Sequence, residues 1–144
     1  MQIKHKLFLL VLALGISTGT CYASIPSDVK TEATKSNSSD EGYRIVDNRI
    51  ECTGEKPVVV DLYATWCKPS KKFSPVFQEV KEAYDSKAIF ISIDADKNWY
   101  LCQTYGIKGT PTTLVILPNG RFYTKLSLMS REQLESFLRQ YINL

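Results

Sequence analysis

A six-residue apolar run broken by one acid, Val58-Val59-Val60-Asp61-Leu62-Tyr63, leads within three residues to Trp66-Cys67-Lys68-Pro69-Ser70 and then to an amphipathic stretch. Apolar on both faces, the run reads as a central strand covered from both sides. In the stretch after it, Phe73, Val76, Phe77, Val80 and Tyr84 recur at i, i+3, i+4, i+7 and i+11, the period of a helix with one buried face. A helix is expected over 68–86, kinked at Pro75. A buried strand feeding straight into such a helix limits the chain to an α/β architecture and sets Cys67 at a helix N-terminus. Unpaired backbone N–H groups and the positive end of the helix dipole favour a negative sulfur there. Thiolate is the reactive form of cysteine, and an ordinary thiol is only a few per cent ionised at neutral pH. Lys68, Lys71 and Lys72 are expected to push the same way. Cys67 is therefore the candidate nucleophile. The plainer alternative is a structural cysteine in the core, for which Trp66, Lys68 and Pro69 are poor companions.

The flanking sequence completes the layer pattern. Residues 43–46 read as a short edge strand, followed by a weakly patterned stretch over 47–55 that ends in a Gly turn. Beyond the helix come a strand over 88–93 and a short helix over 96–105. Strands over 113–117 and 122–126 are joined by Pro118-Asn119-Gly120, a hairpin signal. A last helix starts at Ser130, where Ser130 and Gln133 form a capping-box pattern, and buries Leu134, Phe137, Leu138 and Tyr141. Strands alternating with helices, then a hairpin and a helix, give one α/β sandwich domain over 42–144, built on a mixed central sheet. Trp99 and Tyr100 fit either core or surface, whereas Tyr63, Phe73 and Phe77 are core by spacing.

Upstream of that domain, residues 1–23 read as an export signal: Lys4 and Lys6, an apolar run from Leu7 to Ile16, then small residues that place cleavage after Ala23. About ten apolar residues are too few to span a bilayer as a helix. The rival is a lipoprotein signal with Cys21 acylated, which Thr18-Gly19-Thr20 fits poorly for want of an aliphatic residue. The chain is accordingly expected to be exported, periplasmic or secreted, with membrane attachment only if Cys21 carries lipid. Either route leads to an oxidising compartment. Residues 24–41 are polar and Ser/Thr-rich, a composition that cannot bury enough surface to order itself, and read as a flexible tether. Without the leader, 16 basic face 15 acidic residues, a balance that gives nucleic acid no reason to bind. The only histidine, His5, falls in the leader, so Ser-His and Cys-His catalysis and most zinc sites are excluded. No metal or cofactor is expected.

The strand with its buried acid and the Trp-Cys-x-Pro-x helix start resemble the thioredoxin superfamily, whose pattern is Trp-Cys-x-Pro-Cys. Pro75, eight residues after Cys67, matches that family's kinking proline. Gly106-Ile107-Lys108-Gly109-Thr110-Pro111-Thr112 matches its cis-proline loop. The resemblance covers about residues 43–144. It implies a thioredoxin-like fold with a first helix shortened or missing, thiol–disulfide exchange with protein thiols and disulfides, and substrate contacts from Trp66, Lys68, Pro69, Thr110 and Pro111. The Thr110 backbone would pair with an extended substrate beside Cys67, and threonine there is more like disulfide isomerases than thioredoxins. Asp61 matches the acid that helps move the proton of the second cysteine. The lysine common beside that acid aligns with Phe90, and the glycine-containing far wall of the groove reads Leu126-Ser127-Leu128.

The decisive departure is Ser70, which stands where the family has its second cysteine. In a two-cysteine site the first sulfur forms a mixed disulfide with substrate and the second expels the product. Intramolecular attack reaches effective concentrations of about 10⁵ M or more, and a hydroxyl cannot form a disulfide. A mixed disulfide on Cys67 is thus expected to live long and to be resolved by a client's own thiol or a small thiol such as glutathione. That favours isomerisation or de-thiolation over net reduction. The competing function is a thioredoxin-like binding or chaperone module that holds extended or thiol-bearing clients without turnover. Asp61 would either tune Cys67 or only hydrogen-bond locally, its carboxyl raised by burial. Cys52 and Cys102 leave an odd thiol count after the leader. Cys102 reads as core rather than as a resolving thiol, and a Cys52–Cys102 bridge or a dimer bridge stays open.

Overall fold

The computed structural model describes residues 41–144. The expected export signal and all but the last residue of the expected tether lie outside the described residues. Nine elements follow in order: β1 (Tyr43–Val46), β2 (Arg49–Cys52), β3 (Val58–Tyr63), α1 (Lys68–Tyr84), β4 (Ile89–Asp94), α2 (Trp99–Thr104), β5 (Thr112–Ile116), β6 (Phe122–Leu126) and α3 (Arg131–Leu138). The central sheet has the order β4-β3-β5-β6. β3 runs parallel to β4 and antiparallel to β5, and β5 pairs antiparallel with β6, so the sheet is mixed, as expected.

Because side chains alternate along a strand, β3 feeds two cores. Val59 joins Phe73, Phe77 and Val80 of α1 and Leu134 and Leu138 of α3 on one face. Val58, Val60 and Leu62 join Leu101, Tyr105 and Ile50 on the other. The helical stripe read from the sequence is the stripe that packs, with Val76 and Tyr84 at its partly buried margin. Tyr63, expected in the core, is only half-buried.

α1 runs unbroken through Pro75 and stops at Tyr84, two residues short of the expected end. α2 starts at Trp99 rather than near residue 96, because local hydrogen bonds hold a turn ahead of it. Asp96 N–H donates to Asp94 Oδ1 at 3.0 Å, and Asn98 Nδ2 donates to the Asp94 carbonyl at 2.9 Å. α3 begins as expected, with Ser130 as N-cap and both halves of the capping box formed.

The stretch over 47–55 holds what sequence patterning missed. β2 pairs antiparallel with β1 in a separate two-stranded sheet. Asp47 and Asn48 turn the hairpin at φ 48° and 59°, the left-handed pair that a two-residue loop needs. A hairpin therefore stands where the family's first helix was expected to be shortened or missing. It is fastened by Ile50, 3% exposed, whose N–H donates to Tyr105 Oη at 2.8 Å while that hydroxyl donates to the Ile50 carbonyl at 3.3 Å.

Candidate functional site

The junction between β3 and α1 builds the site. Cys67 is the N-cap of α1, with φ −80° and ψ 110°. Its N–H donates to the Ala64 carbonyl at 3.0 Å, and its carbonyl accepts from Lys71 N–H at 3.2 Å, which closes the first helical turn. Pro69 lies within that turn, where a missing N–H costs nothing because the first-turn donors have no helical partner. Cys67 is 7% exposed. Its thiol donates to the Thr110 carbonyl, with sulfur and oxygen 3.3 Å apart. The Thr110–Pro111 bond is cis. Two segments 43 residues apart thus meet at one sulfur.

The Ser70 hydroxyl, foremost, and contact with Thr110 hold the Cys67 thiol below the ordinary cysteine range; burial opposes them, and the Ser70 backbone N–H adds a smaller push downward. The expected part of Lys68, Lys71 and Lys72 is not seen: all three are exposed to solvent and none is among the causes of the shift. Ser70 itself is 1% exposed, and while Cys67 is a thiol directed at Thr110 its oxygen has no hydrogen-bond partner. Ionisation of the sulfur breaks the bond to Thr110 and gives that hydroxyl an acceptor. Hydrogen bonds to the charged form lower a pKa, so the serine favours the thiolate.

Asp61, on β3, is 1% exposed. Burial alone pushes its carboxyl up to about 7, and neither oxygen has a hydrogen-bond partner. Phe90, which aligns with the family's lysine, is buried in the core.

Large apolar side chains are exposed on the segments that flank the sulfur and the cis-proline loop. Trp66 is 72% exposed, and its Nε1–H donates to Asp96 Oδ2 at 2.8 Å. Lys68 and Pro69 are exposed beside it. On the other side, Leu126 and Leu128 are exposed, and Ser127 N–H donates to the Pro111 carbonyl at 3.2 Å. Gly109 faces Leu126, whose methyls would sit 3.6 Å from an added Cβ. Sequence reading missed Asp96 as the anchor of Trp66. The available signal was position: β4 runs parallel to β3, so the residues after it emerge at the end of the sheet that carries Cys67. Trp99 and Tyr100, left open between core and surface, are both exposed, with ring centroids 4.7 Å apart.

Cys52, Cys67 and Cys102 are all free thiols. The Cys52–Cys102 bridge left open by the sequence is not formed. Burial raises the thiols of Cys52 and Cys102, the opposite direction from Cys67. Cys102 is half-buried at the margin of a core cluster rather than fully inside it.

A family model described as Thioredoxin matches residues 44–140. The thioredoxin of Buchnera aphidicola subsp. Baizongia pistaciae is 34% identical over 88 residues, which cover 61% of this chain and 81% of that protein. The thioredoxin of Borreliella burgdorferi is 27% identical over 88 residues, 61% of this chain and 75% of that one. Among solved structures, a single-residue mutant of a thioredoxin from Halobacterium salinarum NRC-1 superposes with a TM-score of 0.56 at 29% identity, over 62% of this chain and 78% of that one.

Proposed function

This chain belongs to the thioredoxin family, whose activity is thiol–disulfide exchange with proteins, and on that premise we propose that it is an exported oxidoreductase working through Cys67 alone. The observation that carries the proposal is the placement of Cys67 and Ser70 on one helical turn, with Ser70 hydroxyl rather than a second sulfur lowering the Cys67 thiol. The thiolate attacks one sulfur of a client disulfide, a Cys67–client disulfide forms, and the departing client thiolate takes a proton from solvent. Ser70 can donate a hydrogen bond to Cys67 when it is released again, but it cannot displace the client. Resolution falls to a second thiol, from the client itself or from a small molecule such as glutathione, whose thiolate attacks the mixed disulfide. A client thiol gives isomerisation. Where the disulfide joins the client to a small thiol, Cys67 takes over that small thiol and frees the client thiolate, and one further small thiol releases Cys67 as one small-molecule disulfide forms, which is de-thiolation.

Trp66, Leu126 and Leu128 offer apolar surface on either side of the sulfur, which suits an unfolded or extended client. Lys68, Pro69, Thr110 and Pro111 complete the proposed contact set. Glutathione-driven turnover of a protein mixed disulfide tests the proposal: the chain is expected to catalyse it, and Cys67→Ala to abolish catalysis. Clients held equally by both proteins, with turnover by neither, would instead make this a binding module.

A further inference from the structure

Three of the first five residues of α1 are lysines, Lys68, Lys71 and Lys72, and its first turn holds no acid. The positive end of a helix dipole favours carboxylates and disfavours cations, so helix stability gives no reason for this arrangement. It does not serve the thiol either, since none of the three is among the causes that lower Cys67. Lys108 joins them from the second segment at the sulfur, two residues before Thr110, whose carbonyl lies 3.3 Å from Cys67 Sγ. All four lysines are exposed, and none forms an ion pair among the described residues.

The exposed acids at this end of the sheet are engaged elsewhere. Asp94 is met by Lys97 at 3.8 Å, and Asp96 Oδ2 accepts from Trp66 Nε1–H at 2.8 Å. Glu132, in the first turn of α3, accepts from Ser130 Oγ at 2.8 Å and shares a cleft with Lys125. The acids of α1, Glu79 and Glu82, stand in its second half, with Asp85 at its far end, and Glu79 pairs with Arg131 at 3.9 Å. The uncompensated charge on the segments that bring Cys67 and Thr110 together is therefore positive.

Lys71 and Lys72 follow Cys67 by four and five residues, about 6–8 Å along a helix that rises about 1.5 Å per residue. An extended client advances about 3.3 Å per residue, so side chains two or three positions from its reacting cysteine come within reach of these ammonium groups. We propose that the rim of Lys68, Lys71, Lys72 and Lys108 selects acidic clients, extended segments with Asp or Glu within about three residues of the disulfide cysteine. The inference rests on Cys67 being the group that takes the client, and names the class of client taken. Exposed charges at the rim of a contact act mainly on the rate of encounter, and their effect fades with salt. An anionic lipid surface also suits lysines beside an exposed tryptophan, but seating there would cover the sulfur that a client must reach.

Three otherwise identical peptides test it, with Asp, Ser or Lys on both sides of a cysteine activated as its thiopyridyl disulfide. The Cys67 thiolate attacks the peptide sulfur, the Cys67–peptide disulfide forms, and the thiopyridine leaves as a thiolate that takes a proton from solvent. Rates are followed by intact mass and corrected for Cys52 and Cys102 with Cys67→Ala. Each is then divided by the same peptide's rate with mercaptoethanol, a neutral thiol. At an ionic strength of about 0.01 M the Asp peptide is expected to react about tenfold or more faster than the Ser peptide and the Lys peptide more slowly, the differences vanishing toward about 1 M. Lys71→Glu, Lys72→Glu and Lys108→Glu together are expected to reverse the order, and the three changes to Gln to shrink it; the Asp-to-Ser ratio divides out any change in the thiol itself. Equal normalised rates at low salt, or a ratio that the folded charge variants leave in place, overturn the inference while a reacting Ser peptide leaves the monothiol reading standing. Equal rates with the chain retained on phosphatidylglycerol vesicles assign the lysines to a lipid surface and overturn it likewise. A Cys67 that takes none of the peptides overturns both.

Discussion

Ser70 does two things that a second cysteine would do differently: it stabilises the Cys67 thiolate, and it withholds an internal nucleophile. The first is tested by Ser70→Ala. Loss of the hydroxyl that contributes most to lowering the thiol is expected to raise the Cys67 pKa, read from the pH dependence of thiolate ultraviolet absorbance, with Cys52 and Cys102 replaced by serine to keep the signal clean. The second is tested by Ser70→Cys, which places a sulfur on the same helical turn. Given the effective concentrations of intramolecular thiols, reduction of a protein disulfide is expected to accelerate at least about 100-fold, measured by precipitation of reduced insulin chains. An unchanged rate would put the limit in the groove around Leu126 and Leu128 rather than in the missing sulfur.

At the scale of elements, the hairpin β1–β2 is fastened through one side chain of the loop after α2. Tyr105 satisfies both backbone groups of Ile50, so Tyr105→Phe leaves a buried N–H and carbonyl without their partner. Such a loss is expected to cost about 1–3 kcal/mol, measured by urea unfolding. Most of the architecture was legible beforehand, because β3, α1 and α3 each carry an unambiguous apolar period and α3 carries its capping box in plain view. The hairpin was not, for a physical reason. β1 is exposed along Arg44, Ile45 and Val46 and shows no alternation, and β2 alternates over only its four residues, Arg49 to Cys52, with Ile50 alone fully buried, too short a run to stand out. The turn residues Asp47-Asn48 were the one signal available. At the site, Cys67, Ser70, Thr110 and Asp61 were legible because the helix start and the proline loop are local patterns. Asp96 was not, since it joins the site only through the register of β3 with β4.

For the molecule as a whole, Asp61 links stability to pH. Its carboxyl lies at about 7 in the folded chain against an ordinary value of 3.8, so between those limits the folded state binds more protons than the unfolded one. Stability is then full below about pH 4 as far as this group is concerned and falls as pH rises through about 7, by on the order of 4 kcal/mol. Asp61→Asn is expected to flatten that slope in urea unfolding curves taken from pH 4 to pH 8; an unchanged slope would assign the pH dependence elsewhere. In the proposed function, Cys67 holds its clients covalently with no internal means of letting them go. The most direct measurement is the lifetime of a mixed disulfide between Cys67 and a client peptide, followed by intact mass as small thiol is added. The adduct is expected to persist without added thiol and to decay at a rate proportional to thiol concentration. Decay at one fixed rate whatever the thiol concentration would reveal a resolving group within the chain and contradict it.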